Sequence, residues 1–318
     1  MTNHLPHMNS EKYGLIGHPI HDSKSPEVFS AAYGGELPYD LIEGDNFEDS
    51  FSRFLEGYRA INVTAPFKEQ AFAKAVSYAK DGKGAVSGPC FKIRATNLLV
   101  KTAEGIEAHN SDFTGIILAV AEAYFPGVVK QCYALYGEDA YKRVHQFMRV
   151  SLPDIFKEKP QALIVGAGGA GKAAAVAAAE MGFDVAIMNR TPDKAQKIAD
   201  DLPEYSFIVT PVSDFKGAVK ECDLIIYTLP VKIDAVDTLT EEDFAGEDRY
   251  SSGNPAKVVL EANYKTPAFS GRVLEEMNLG GCQYVSGDRW HMYQAITGYS
   301  IMTGKTPDMD AIMATYRV

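Results

Sequence analysis

Gly166, Gly168 and Gly171 follow the apolar run Leu163-Ile164-Val165 and lead directly into the alanine-rich stretch Lys172-Ala173-Ala174-Ala175-Val176. A Gly-x-Gly-x-x-Gly spacing between a strand-forming and a helix-forming segment is the signature of a phosphate-binding turn. The first glycine permits the turn, the second lets a pyrophosphate approach the backbone, and the third lets helix and strand pack closely. The unpaired N–H groups of the first helical turn, over Gly169, Ala170 and Gly171, then face the phosphates. Earlier in the chain, Ser23-Lys24-Ser25-Pro26 puts two hydroxyls at the start of a predicted helix, with Ser25 as N-cap and Pro26 as its first residue. On residue chemistry alone these hydroxyls either cap that helix or hold a carboxylate beside its N-terminus. Lys68 falls on the first turn of a helix opened by Pro66, where the helix dipole disfavours a cation. It is therefore either a solvated surface lysine or one held near a carboxylate for a purpose. Asp112 stands where a loop enters the helix predicted over Gly115 to Ala123, so its plain reading is an N-terminal cap.

The elements that position these groups alternate strand and helix. Tyr13 to Ile16 is a strand running into the serine loop, and Ala60 to Val63 is a strand running into Thr64-Ala65-Pro66-Phe67-Lys68. A further element, Ile93 to Val100, reaches a hairpin-like turn at Glu104-Gly105. After the glycine motif, Asp184 to Met188 reads as the next strand, while Asp223 to Tyr227 and Val258 to Glu261 read as buried strands. Thr240 to Pro255 is polar and rich in turn formers, and reads as loop.

At 318 residues the chain is long enough for two domains. A composition of 46% hydrophobic and 23% charged residues is that of a globular protein. The net charge of −11 argues against a nucleic-acid partner. Cys90, Cys132, Cys222 and Cys282 are too few and too widely spaced for a disulfide framework or a metal knuckle, so reduced thiols and no metal are expected. Met1 to Lys12 is polar and lacks an apolar signal core, and no run approaches the ~18 apolar residues of a spanning helix. A cytoplasmic protein with no membrane partner is the expectation.

Ser-Lys-Ser-Pro at 23–26, Asn-Val-Thr-x-Pro-Phe-Lys at 62–68, Ala-x-Asn at 95–97 and Asn-x-Asp at 110–112 occur in this order before the dinucleotide fingerprint. Together they resemble the shikimate dehydrogenase family over about residues 13–115 and 160–315. The resemblance implies an α/β protein with an N-terminal α/β substrate domain, residues 1–113 with 287–318, and a Rossmann-type doubly wound NADP-binding domain, residues 114–286. It implies that Ser23 and Ser25 bind a substrate carboxylate, that Lys68 and Asp112 are the catalytic pair around the reacting oxygen, and that Thr64 and Asn97 hold ring hydroxyls. Tyr264 and Gln294 resemble further substrate contacts, and Gly287 lies in the family's segment near the nicotinamide. These residue types suit the reduction of a ketone, which needs a hydride from a nicotinamide and a proton for the developing alkoxide; an ammonium can stabilise that oxygen and supply the proton. The implied activity is NADP-dependent reduction of 3-dehydroshikimate to shikimate, in aromatic amino acid and chorismate biosynthesis.

An NAD-selective site places an acidic residue at the end of the second strand to accept the ribose hydroxyls. Here that strand ends in Asn189-Arg190-Thr191, with Lys194 close behind. A guanidinium suits the 2′-phosphate of NADP. The sequence also departs from the family. Tyr227-Thr228-Leu229-Pro230 replaces an Asn-Ala/Thr-Thr-Ser/Pro segment, and Glu261 replaces an aspartate. Ser286-Gly287-Asp288-Arg289-Trp290-His291 replaces Asp-Gly-x-Gly-Met-Leu, which must alter the wall beside the nicotinamide. Two alternatives therefore stand beside shikimate reduction: a dehydrogenase of a related cyclic hydroxy acid such as quinate, and a ligand-binding homologue without turnover. The segment 124–159 is longer than is usual in the family and shows helical spacing at Tyr141, Val144, Phe147 and Met148. It reads as a helical hairpin on the surface or at a hinge, or as the self-association face of a homodimer.

Overall fold

The computed structural model describes residues 11–246, 255 and 257–316. Residues 1–10 of the polar N-terminal stretch and residues 247–254 of the predicted loop lie outside them. The chain divides into two units, Met1–Asn110 with Gly298–Val318, and Ser111–Thr297.

The first unit is built on β1 (Tyr13–Gly17), α1 (Ser25–Ala32), β2 (Tyr39–Glu43), α2 (Phe47–Gly57), β3 (Ala60–Val63), α3 (Lys68–Lys80), β4 (Gly84–Val86), α4 (Gly88–Ile93), β5 (Leu98–Thr102) and β6 (Gly105–His109). Its six-stranded sheet runs β2-β1-β3-β5-β6-β4. β1 lies parallel to β2 and β3, and the predicted turn at Glu104-Gly105 joins β5 and β6 as an antiparallel hairpin. Phe47, Phe51, Phe54 and Phe67 pack with Ile16, Ile42, Ile61 and Val63 to form the core on one face.

The second unit opens with α5 (Ser111–Tyr124), α6 (Val128–Tyr136) and α7 (Ala140–Ile155). It continues as β7 (Gln161–Val165), α8 (Gly169–Met181), β8 (Asp184–Met188), α9 (Pro192–Asp201), β9 (Ile208–Thr210), α10 (Phe215–Glu221) and β10 (Leu224–Tyr227). α11 (Glu241–Phe244), β11 (Lys257–Glu261), α12 (Arg272–Leu279), β12 (Cys282–Val285) and α13 (Gly287–Thr303) complete it. The strands are all parallel, in the order β12-β11-β10-β7-β8-β9. That is a doubly wound sheet whose order reverses between β7 and β10. The boundary between the units falls within α13, at Thr297, and the last helix, α14 (Met309–Tyr316), packs on α1 in the first unit.

Several element starts differ from the sequence expectation. α1 begins at Ser25 with Lys24 in the cap position, so Ser25 is not an N-cap. α3 begins at Lys68 rather than at Pro66, because Thr64 to Phe67 form a turn of their own, closed by the Phe67 N–H on the Thr64 carbonyl at 3.0 Å. α5 begins at Ser111, so Asp112 lies inside its first turn. Ile93 ends α4, and the strand expected from there starts only at Leu98. Within the segment read as loop, Glu241 to Phe244 is helical, held by a capping box between Thr240 and Asp243. The 124–159 segment is a helical hairpin, as its spacing predicts. It is more than surface decoration, because α7 packs on α5, α6 and α8 and buries Val144, Met148 and Leu152 along one stripe. All four cysteines are free thiols. No helix among the described residues is long and apolar enough to cross a membrane, and none of their side chains group into a metal site.

Candidate active site

In the first unit a ladder of main-chain hydrogen bonds ties separate turns to one end of the sheet. The His18 N–H donates to the Ala65 carbonyl at 3.1 Å and the Thr64 N–H to the Ile16 carbonyl at 2.9 Å. The Val63 N–H reaches the Asn97 carbonyl at 2.8 Å, the Asn97 N–H the His109 carbonyl at 3.2 Å, and the Thr96 N–H the Lys68 carbonyl at 3.1 Å. Thr64, Lys68 and Asn97 are thereby held together, with Asn97 buried and Lys68 half-buried at the head of α3. The Ser23 loop is fixed by its own N–H on the Ile20 carbonyl at 3.0 Å, and by the Ile20 N–H on the Glu43 carboxylate at 3.2 Å. The Ser23 hydroxyl accepts the Ser25 N–H at 3.2 Å and lies 3.1 Å from the Ser25 hydroxyl. Both serines thus place oxygens at the start of α1, where Ser23 also satisfies the N–H of the helix's first residue.

Tyr39 and Tyr299 were not among the residues expected from sequence. The Tyr39 hydroxyl donates to the Asn62 carboxamide oxygen at 2.8 Å, and the Tyr299 hydroxyl donates to the Ser25 carbonyl at 3.2 Å. Burial pushes the Tyr39 hydroxyl well above its ordinary pKa, Tyr299 adds to the rise, and a hydrogen bond with Ser25 opposes it. These hydroxyls form a neutral polar backing behind the serine pair. Two tyrosines so far apart in the chain share no spacing that would have announced them.

The second unit carries the glycine motif at the carboxyl end of β7. Gly166 has φ +117, which a side chain rarely adopts. A Cβ on Gly171 would collide with the Gly166 carbonyl oxygen, so those two glycines are demanded by the turn itself. Gly168 and Gly169 differ: a Cβ at either would meet no protein atom within 4 Å. The protein leaves that space clear beside the N-terminus of α8, where the N–H groups of the first turn have no intrahelical acceptor.

Asn189, at the end of β8, accepts the Ala167 N–H at 3.2 Å and donates to the Thr191 carbonyl at 2.9 Å. Arg190, Thr191 and Lys194 follow it and are exposed. Thr228, after β10, donates its hydroxyl to the Val165 carbonyl at 3.0 Å and so braces the other side of the turn.

Further along the same edge, the buried Glu261 carboxylate accepts the Ala268 N–H at 2.5 Å, the Phe269 N–H at 3.3 Å and the Tyr284 hydroxyl at 2.9 Å. Burial raises its pKa above the usual carboxylate range, and those hydrogen bonds pull it back. Glu261 thus closes the loop that carries Tyr264, whose ring lies 5.5 Å from that of His291. Gly287 opens α13 against the backbone of Ala262 and Tyr264. Gln294 sits on α13 where it meets α5: a Cβ on Gly115 would lie 2.8 Å from both the backbone nitrogen and the Cβ of Gln294. Asp112 is buried on the first turn of that same α5. Ser23, Ser25, Thr64, Lys68 and Asn97 therefore belong to the first unit, and Asp112, Tyr264, Gln294 and the dinucleotide residues to the second.

Comparison with known proteins matches residues 152–236 to the family profile described as "Shikimate / quinate 5-dehydrogenase" and residues 15–86 to "Shikimate dehydrogenase substrate binding domain". The chain is 26% identical over 317 residues to the shikimate dehydrogenase (NADP(+)) of Methanothermobacter thermautotrophicus, covering 94% of this chain and 93% of that one. It is 30% identical over 217 residues to the enzyme of the same name from Glaesserella parasuis, covering 62% and 66% respectively. Among solved structures, its fold is similar to quinate dehydrogenase from Corynebacterium glutamicum in complex with NAD, with TM-score 0.71, 20% identity and coverage of 97% and 99%. It is likewise similar to the shikimate dehydrogenase of Thermus thermophilus in complex with NADP(H) and shikimate, with TM-score 0.66, 22% identity and coverage of 96% and 98%. The serine loop, the lysine that heads α3 and the fingerprint turn thus stand in a chain that belongs to the shikimate dehydrogenase family.

Proposed function

We propose that this protein is an NADP-dependent oxidoreductase that interconverts 3-dehydroshikimate and shikimate, and that it serves the chorismate route to aromatic amino acids in the cytoplasm. The observation that carries this reading is the placement of Lys68. It is half-buried at the head of α3, with its carbonyl held by Thr96 beside the buried Asn97.

The residues present fit the dinucleotide. The clear space over Gly168 and Gly169, with Ala170 and Gly171 behind it, suits a pyrophosphate at the α8 N-terminus. Asn189 is engaged with the turn and offers no carboxylate to a ribose, while exposed Arg190, Thr191 and Lys194 offer donors and positive charge to a 2′-phosphate. Gly287 brings the start of α13 to the nicotinamide side. When bound, the cofactor supplies the hydride for the substrate's carbonyl carbon.

The chain's own residues do the rest. Ser23 and Ser25 donate their hydroxyl protons to the substrate carboxylate, with Tyr264 as a further contact. Thr64, Asn97 and Gln294 hold the ring hydroxyls and so fix which ring carbon is presented. The Lys68 ammonium donates to the carbonyl oxygen, stabilises the negative charge that develops there and delivers the proton that completes the alcohol. Asp112 is the second member of the pair, acting on the same reacting hydroxyl. In a homodimer, the exposed Leu135, Tyr136 and Val150 of the α6–α7 hairpin would supply apolar contact, which light scattering reads directly.

The deciding experiment follows NADPH absorbance with 3-dehydroshikimate, in the wild type and in Lys68→Ala. Decay in the first and not in the second supports the assignment. Binding of both ligands with no decay in the wild type would sink the enzyme reading, and faster turnover of NADP with quinate than with shikimate would move the substrate.

A further inference from the structure

Among the described residues, the Trp290 indole nitrogen is buried and has no hydrogen-bond partner. The side chain is only 4% exposed. An indole N–H is a donor and nothing else, and when buried it normally finds an acceptor.

Its place in the fold narrows what that acceptor is. Trp290 stands in the first turn of α13, directly after β12. That is the carboxyl edge of the parallel sheet, the edge that also carries the glycine turn after β7 and Asn189 and Arg190 after β8. In a doubly wound sheet a dinucleotide lies across this edge, one half on each side of the point where the strand order reverses. The β8 side, with Arg190, takes the phosphorylated adenosine half. Trp290 lies on the opposite side, beyond β10 and β11, where the nicotinamide half falls.

A second relation agrees. Trp290 and Gln294 are four residues apart on α13 and so share one stripe of the helix. At Gln294 that helix touches Gly115 of α5, whose first turn holds Asp112.

We propose that the Trp290 indole N–H donates a hydrogen bond to the carboxamide oxygen of the cofactor's nicotinamide and so fixes the rotation of that ring. The carboxamide oxygen is the neutral acceptor that the nicotinamide ring carries, which suits a donor-only side chain. The assignment rests on the NADP reading given above.

Trp290 is the only tryptophan in the chain, so its indole N–H gives a single proton–nitrogen correlation in the unmodified protein. Saturating NADP+ is expected to move that signal downfield. 2′-Phospho-ADP-ribose, which keeps the adenosine and the pyrophosphate but lacks the nicotinamide, is expected to leave it in place. In Trp290→Phe the Kd for NADP+ should rise about tenfold, while that for 2′-phospho-ADP-ribose changes by less than about twofold. A signal unmoved by NADP+, a signal moved equally by both ligands, or an equal loss of affinity for both in the variant overturns the proposal. If the wild type binds neither ligand, the NADP reading itself fails and takes this assignment with it.

Discussion

The Asn189 carboxamide accepts the Ala167 N–H at 3.2 Å, so the residue that follows β8 holds the turn that follows β7. Its other end donates to the Thr191 carbonyl. The position where an NAD-selective site would keep a carboxylate for the ribose is therefore occupied by a brace, and the next residue, Arg190, is exposed.

Arg190→Ala should weaken NADPH binding by about 10- to 100-fold, the worth of charged hydrogen bonds to a phosphate, and leave NADH binding nearly unchanged. Parallel titrations of the two cofactors measure this. Equal losses would remove Arg190 from the 2′-phosphate.

Gly168 and Gly171 should separate ligand binding from folding. A methyl on Gly171 collides with the Gly166 carbonyl, so Gly171→Ala should lower the thermal midpoint sharply. Gly168→Ala meets no protein atom, so its stability should stay within about 1 kcal/mol of wild type while NADP(H) affinity falls. Calorimetric melting and cofactor titration on the same two variants test the pair. A stable Gly171→Ala would contradict the turn geometry.

Lys68→Ala should reduce kcat by at least about 10²-fold, in the range of general-acid removal, with little effect on the Kd for NADPH. Near-normal kcat in that variant would leave Lys68 without a part in the reaction.

Glu261→Ala strips acceptors from the Ala268 and Phe269 N–H groups and the Tyr284 hydroxyl together. Urea unfolding should register a loss of about 2–4 kcal/mol. A loss under about 1 kcal/mol would mean that this carboxylate does not hold the Tyr264 loop.

Stability should fall in mild acid through His109. Burial holds its imidazole below the ordinary 6.5, against the opposing pull of Glu107 at 3.4 Å. The folded state thus favours the neutral ring, and the unfolded chain takes up a proton first as pH drops. The stability His109 contributes is present above pH 6.5 and is lost as pH falls through its lowered folded value. Urea midpoints taken between about pH 7.5 and 5 should decline less steeply in His109→Gln than in wild type. Identical slopes would show that other groups carry the acid response.

Much of this was legible in the sequence where chemistry is local. Asp184 to Met188 is the strand its apolar residues predict, and the glycine turn has the conformation that its spacing demands. Helix starts were less legible, because capping preferences describe an isolated helix. At Pro66 and Ser25 the local signal was overridden: the turn from Thr64 to Phe67 is fixed by bonds to β1 and to itself, and the Ser25 N–H is bonded by Ser23. The hairpin over 128–155 was readable as helical, but its burial against α5 and α8 was not, since the residues it covers are polled only once the sheet is wound. Tyr39 and Tyr299 lay beyond reach for the same reason, as tertiary placement alone brings both to Ser25.

At Gly115 the backbones of α5 and α13 approach too closely to admit a methyl group. Any larger residue there must push α13 away as a rod, and Trp290, His291 and Gln294 would travel together. Position 115 is therefore held to glycine by the backbone of α13 itself, whichever side chain position 294 carries. A designer seeking a different substrate would find this seam the least forgiving place to begin.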